Sequence, residues 1–191
     1  MSAARGGRPS LWTIAGVVVI VLFVAGLAVY FLARPSAHPA SAQGAPPPGV
    51  QTFTNLARDH VSGHLDYPQT PPVGGAHNAV WLNCGTYPNP VPNENAVHSM
   101  EHGAVWITYQ PNLPAPDVAT LQDTVRGDPY VVLSPYPGLP TPVVASAWGV
   151  QLRLPGASDP RLAQFISYYQ RGPQTPEPGA PCSGGTGNPQ H

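Results

Sequence analysis

Lysine is absent from this 191-residue chain, and its eight basic residues are arginines scattered at Arg5, Arg8, Arg34, Arg58, Arg126, Arg153, Arg161 and Arg171. Neutralising phosphates takes clustered Lys and Arg, so a nucleic-acid partner is not expected. Charge of either sign is scarce: 9% of residues are charged and the formal net charge is -1, against about a quarter charged in an ordinary soluble domain. That excludes a basic arm, an acidic tail and the charge-rich kind of disorder. Cysteine is limited to Cys84 and Cys182. What the chain has in excess is 27 Pro and 20 Gly, about a quarter of its length, a fraction that touches the range of low-complexity chains. Whether it folds depends on where the apolar residues sit.

Much of the apolar content lies in one run, Leu11 to Ala33, 23 residues without a charge. As a helix it would span ~35 Å, enough to cross a hydrocarbon core of ~30 Å with some tilt. Trp12 and Tyr30 fit interfacial aromatics, and Arg5 and Arg8 before the run outnumber Arg34 after it, so the N-terminus is expected inside. The alternative is a cleaved signal peptide, for which Ala40-Ser41-Ala42 offers a site; an apolar run longer than the usual ~7–15 residues favours an anchor. Residues 34–50 are Pro, Ala, Ser and Gly without periodicity and read as a semi-rigid spacer. The expected organisation is a cytoplasmic N-terminus at 1–10, a transmembrane helix at 11–33, a linker at 34–50, and at 51–191 an extracytoplasmic domain whose Pro/Gly-rich tail starts at 172. This places the protein in the plasma membrane by a single-pass anchor, with any envelope or protein partner unidentified. One modest core fits within residues 51–191.

The domain reads as short strands and few helices. Strands are expected at Ala79–Cys84, Ala104–Tyr109, Tyr130–Ser134, Val143–Trp148 and Val150–Leu154, the last two as a pair or one strand bent at Gly149. Val118, Leu121, Gln122 and Val125 stand at helical spacing before Gly127, and Leu162, Phe165, Ile166 and Tyr169 form one face of a helix opened by Asp159-Pro160. The order predicts an α+β fold, helices packed on a mostly antiparallel sheet. In an exported domain Cys84 and Cys182 are expected to pair, closing a loop of about a hundred residues worth up to ~4.7 kcal/mol in the chain-entropy model; the competing role for Cys84 is as a metal thiolate.

Histidine is the one enriched chemical group. Five of seven fall within 43 residues, His60, His64, His77, His98 and His102, and two pairs share an i,i+4 spacing: His60-Val61-Ser62-Gly63-His64 and His98-Ser99-Met100-Glu101-His102. On a helix that spacing puts two imidazoles on one face, close enough to share an ion. The second pair has helix punctuation, with Asn93 as N-cap, Glu94 in the first turn and Gly103 at the end, predicting about nine helical residues. Gly63 weakens the first pair. Pro71-Pro72-Val73-Gly74-Gly75 could fold His64 and His77 toward each other. His98, Glu101 and His102 match H-x-x-E-H, in which two His hold zinc and Glu activates water. Read instead as a strand, His98, Met100 and His102 would make a His/Met/His set suited to copper.

The ordered series His60-Val61, Tyr67, Pro71-Pro72 with Gly75 and His77, then Trp81, Cys84-Gly85 and Tyr87, then Val97-His98 and Glu101-His102-Gly103 resembles an uncharacterised family of bacterial, actinobacterial-type membrane-anchored domains of unknown function. Its H-x-x-E-H-G segment followed by a strand is the most specific part. The resemblance implies no activity; it implies that His60, His77, His98, Glu101 and His102 are site positions. The chain departs from the family pattern at Val73-Gly74-Gly75, where a Thr-Ser-Gly-like stretch is expected, and at Met100, where Leu is common.

These readings converge on one transition-metal ion, copper or zinc, held by His77, His98 and His102 with His60 or His64 completing the set. Glu101 would be an outer partner or a proton acceptor. Two alternatives stand beside it: a small zinc-dependent hydrolase with Glu101 catalytic, and a metal-free envelope module whose histidines brace loops.

Overall fold

The computed structural model describes residues 44–190. The expected anchor at 11–33, the N-terminus and most of the expected linker lie outside the described residues. Among the described residues no helix is long and apolar enough to cross a membrane. The elements, in chain order, are β1 (Gln51–Thr52), β2 (Gly85–Thr86), α1 (Asn93–Glu101), β3 (Val105–Tyr109), α2 (Ala115–Val125), β4 (Val131–Pro135), β5 (Val143–Ala147), β6 (Val150–Leu154) and α3 (Arg161–Tyr169). They form a mixed α+β fold around one six-stranded sheet of order β1-β6-β5-β3-β4-β2.

Three neighbouring pairs in this sheet are antiparallel, β1 with β6, β6 with β5 and β5 with β3; β3 with β4 and β4 with β2 are parallel. The parallel centre follows from the strand-helix-strand order: a parallel pair needs a crossover, and α2 supplies it between β3 and β4. Val143–Leu154 is a hairpin, not one bent strand, turning through Trp148 and Gly149. Gly149 sits at φ +71°, and a Cβ there would meet the Phe53 carbonyl at 3.1 Å, which explains why the turn needs glycine.

The strand expected at Ala79–Cys84 does not form. That segment takes its backbone partners elsewhere: Leu82 N–H donates to Asn95 O and Asn83 N–H to Thr186 O, while Thr186 N–H donates to Trp81 O. Only Gly85–Thr86 reaches the sheet, alongside β4. The apolar run at 79–84 fits a strand, but Leu82 and Cys84 instead pack with α1 and with Cys182 of the tail, and Val80 faces solvent.

The central strands are buried on both faces. On one face Val105, Ile107, Leu133 and Leu152 meet Leu121 and Val125 of α2 and Leu162, Phe165 and Tyr169 of α3. The helical spacings read from the sequence thus match the buried stripes, although Val118 and Gln122 are half-buried. On the other face Trp106 and Val132 pack with Leu82, Ala96, Val97, Met100 and Trp148. Buried polar groups within the sheet are satisfied, as burial demands: Trp106 Nε1–H donates to Ser134 Oγ at 3.0 Å and Thr108 Oγ1–H to Val144 O at 3.1 Å.

Cys84 and Cys182 form a disulfide across 98 residues. Around it the tail is laid onto the domain: Cys84 N–H donates to Cys182 O, and Gln190 and Thr86 exchange backbone bonds. Within the stretch expected to be linker, Pro47 is buried and Val50 packs on the core.

Candidate metal centre

Helix α1 and its C-cap residue His102 carry three of the expected site residues and turn them away from the sheet. Ala96, Val97 and Met100 bury on the sheet side, so His98, Glu101 and His102, spaced three and four apart, share the opposite stripe. Its beginning differs from the expected capping. Asn93 is the first helical residue, Pro92 holds the cap position without a side-chain bond, and Asn93 Nδ2 donates instead to Tyr136 Oη at 3.3 Å. Glu94 is likewise recruited to a loop, accepting from Leu65 N–H at 2.9 Å and pairing with His64 Nδ1 at 3.0 Å. The end is as the sequence implies. Gly103, at φ +107°, terminates the helix against Arg171, whose Cα would lie 2.9 Å from any Cβ, a position only glycine fills without strain. Ser99 fastens the helix sideways, donating to Leu82 O at 2.7 Å and accepting from Leu82 N–H at 3.0 Å.

His77 arrives from a loop. Its backbone bridges the His60 segment, with Val61 N–H donating to His77 O at 2.8 Å and His77 N–H to Asp59 O at 3.0 Å. The ring is fully buried, with Trp148 edge-on at 5.8 Å. The same bridge brings His60 alongside, half exposed, its ring stacked on His98 at 4.8 Å.

The ring nitrogens follow one rule. His77 Nδ1 lies 2.7 Å from Gly75 O, His98 Nδ1 2.6 Å from Asn78 O and His102 Nδ1 2.6 Å from Pro181 O. A carbonyl only accepts, so each Nδ1 carries a proton, and in its neutral form each ring presents a lone pair at Nε2. Those lone pairs point at other acceptors. His77 Nε2 is 2.8 Å from Glu101 Oε2, and His98 Nε2 is 2.9 Å from His102 Nε2. With His77, His98 and His102 at most 4% exposed, converging acceptors need a shared cation, either a proton or a metal ion. Burial, followed by the positive fields of His102, His77 and His60, depresses the pKa of His98 below its ordinary 6.5, only partly offset by the bond to Asn78. The neutral ring is the ligating form.

One ligand atom each from His60, His77, His98 and Glu101 lies within 4.8 Å of the others, a group that could hold a metal ion. An ion ~2.1 Å from each of four tetrahedral ligands sets them about 3.4 Å apart, which the 2.8 and 3.7 Å approaches of His77 and His60 to Glu101 bracket. The donors are imidazole and carboxylate. Met100 is fully buried against the sheet and both cysteines are in the bridge, so the His/Met/His set and the Cys84 thiolate do not form. This composition suits zinc, copper(II) or iron(II) better than copper(I).

The histidines divide. His102 touches the group through His98. His64 is not brought to it: Gly63 at φ +96° breaks the His60–His64 spacing out of any helix, and His64 is exposed beside Glu94 and Asp66, so the fold-back of His64 onto His77 does not occur. Two neighbours escaped the sequence reading. The Trp81 ring lies 5.1 Å from that of His102. Glu177, in the tail, donates its N–H to Glu101 O at 3.0 Å and sets its carboxylate 3.7 Å from His102 Nε2; its place five residues before Cys182 was the one available signal. A cleft of 510 Å³ lined by Gly85, Gln122, Arg126 and Asp128 contains none of these residues.

A family model described as a protein of unknown function, DUF3105, matches residues 60–184. No curated protein and no solved structure matches the chain. The matched span takes in every residue of the group, and the chain belongs to this family of unknown function.

Proposed function

We propose that this member of the DUF3105 family is a binding protein for a divalent transition-metal ion, zinc or copper(II), held by His60, His77, His98 and Glu101. The observation that carries the reading is the common orientation of the three buried rings. Each Nδ1–H is spent on a backbone carbonyl, and each Nε2 lone pair faces another acceptor. Metal-ligating histidines are oriented in this way, with the outer hydrogen bond fixing the tautomer and raising ligand basicity. Glu101 serves as a ligand, since its carboxylate already lies against His77 Nε2. Anchored by residues 11–33, the domain would handle metal outside the cytoplasm.

A hydrolase needs Glu101 free to take a proton from water, with substrate room beside it. The contact with His77, which occupies the Glu101 carboxylate, favours binding over hydrolysis. The metal-free module predicts no response to chelation. Thermal unfolding of the full chain, produced without a histidine tag, separates these readings. Zinc or copper(II) at a hundredfold excess over Kd stabilises by about 2.7 kcal/mol, and a chelator reverses the shift. An unchanged melting temperature in the parent protein would overturn the proposal.

A further inference from the structure

The site contains more donors than one ion needs. Next to His98 stand His102 Nε2 at 2.9 Å and, 3.7 Å from that nitrogen, the Glu177 carboxylate. His102 is 5% exposed at its side chain and donates its Nδ1 proton to Pro181 O, so that the neutral ring has its lone pair at Nε2. Its lone pair therefore meets a lone pair on one side and a carboxylate on the other, an arrangement as much in need of a cation as the contact between His77 and Glu101.

We propose that a second divalent transition ion binds here, held by His98, His102 and Glu177, beside the first. This rests on the one-ion reading and deepens it. The donors then divide into two sets of like chemistry, two imidazoles and one carboxylate each: His60, His77 and Glu101 for the first ion, and His98, His102 and Glu177 for the second. His98 stands between the two sets: it belongs to the first group and its Nε2 lies 2.9 Å from His102 Nε2, and with one free lone pair it serves the first ion when that is bound alone and the second when both are bound. Two His and one carboxylate leave positions open on each ion, the pattern of sites that admit water or a further ligand.

The tail builds the second set. Glu177 N–H donates to Glu101 O and Gly179 N–H to His102 O, both at 3.0 Å, and Pro181 O orients the His102 ring just before the bridged Cys182. Glu177 is largely solvent-facing, with 59% of its side chain exposed, so its amide replacement keeps both backbone bonds and the fold.

Copper(II) titration of the full untagged chain, followed by electron paramagnetic resonance and by metal analysis after desalting, tests the assignment. The expected result is about two equivalents retained, an isolated-ion spectrum at one equivalent and loss of that signal through spin coupling at two. Glu177→Gln and His102→Ala should each reduce retention to about one equivalent, uncoupled, with the circular dichroism spectrum unchanged. A parent that saturates at one equivalent, its affinity indifferent to Glu177→Gln, overturns the second position and leaves the first standing: the cation between His98 and His102 is then a proton. A parent that retains no copper(II) or zinc overturns both.

Discussion

The two faces of the sheet are closed by different physics. On the face of α2 and α3, apolar side chains at helical spacing meet apolar strand residues, with Phe165 and Leu121 fully buried and no polar cluster among them. On the face of α1, one nine-residue helix, two loops and the tail do the covering. They are joined by side-chain-to-backbone bonds, a disulfide and a set of buried acidic and imidazole groups, His77, Glu94, His98, Glu101 and His102. The first face is closed by apolar contact. The second concentrates polar groups that need partners, which is the pattern of a site supported by a scaffold.

Variants on each face should separate stability from binding. Phe165→Ala empties the centre of the apolar face and should cost ~3–5 kcal/mol, read as a lower urea midpoint, while metal affinity stays at the parent value. A comparable loss of affinity would mean that the faces are not independent. Cys84→Ser with Cys182→Ser should cost ~2–5 kcal/mol and also weaken metal binding, because Pro181 and Glu177 lose their tether. If this pair of substitutions lowers stability but not affinity, the tail contributes nothing to the centre.

Acidification from pH 7.5 to 5.5 should act on the α1 face. The folded-state pKa of His98 lies below 6.5, so between the two values the unfolded chain binds the proton and the folded chain does not. Stability from this group is full above about 6.5 and declines as pH falls through the lowered folded value. Metal affinity falls in the same direction, because protons compete for the same nitrogens. Urea midpoints at pH 7.5 and 5.5 check this, and His98→Ala should flatten the difference; an unaltered pH response in that variant would assign it elsewhere.

The smallest effect belongs to His64. It is exposed and contacts Glu94, which keeps the Leu65 N–H in any case. His64→Ala should change stability by less than about 0.5 kcal/mol and leave the retained metal unchanged by elemental analysis; a lost equivalent would reinstate His64 at the centre.

The same division governed what could be read from the sequence. The apolar face was legible because periodicity reports burial: Leu162, Phe165, Ile166 and Tyr169 at helical spacing, and the β-branched run at Val105–Tyr109. The α1 face was legible where local geometry acts, in the i,i+4 spacing of His98 and His102 and the stop at Gly103, and in the pairing of Cys84 with Cys182, which follows from there being just two cysteines in an expected exported domain. Equal spacing misled at His60 and His64, since Gly63 at positive φ breaks the helix that spacing assumes. At Ala79–Cys84 the apolar run suited a strand, but α1 and the tail took the backbone bonds a sheet would have used. The approach of His77 to Glu101 and of Glu177 to His102 spans 24 and 75 residues, and nothing local encodes either.

Metal content per chain tests the central claim most directly. Full chain purified without a histidine tag, and never exposed to chelator, should carry at least about one zinc or copper ion. His98→Ala combined with Glu101→Gln should remove it while the far-ultraviolet circular dichroism stays that of the parent. Sub-stoichiometric metal in the parent, unchanged by those two substitutions, would contradict the account.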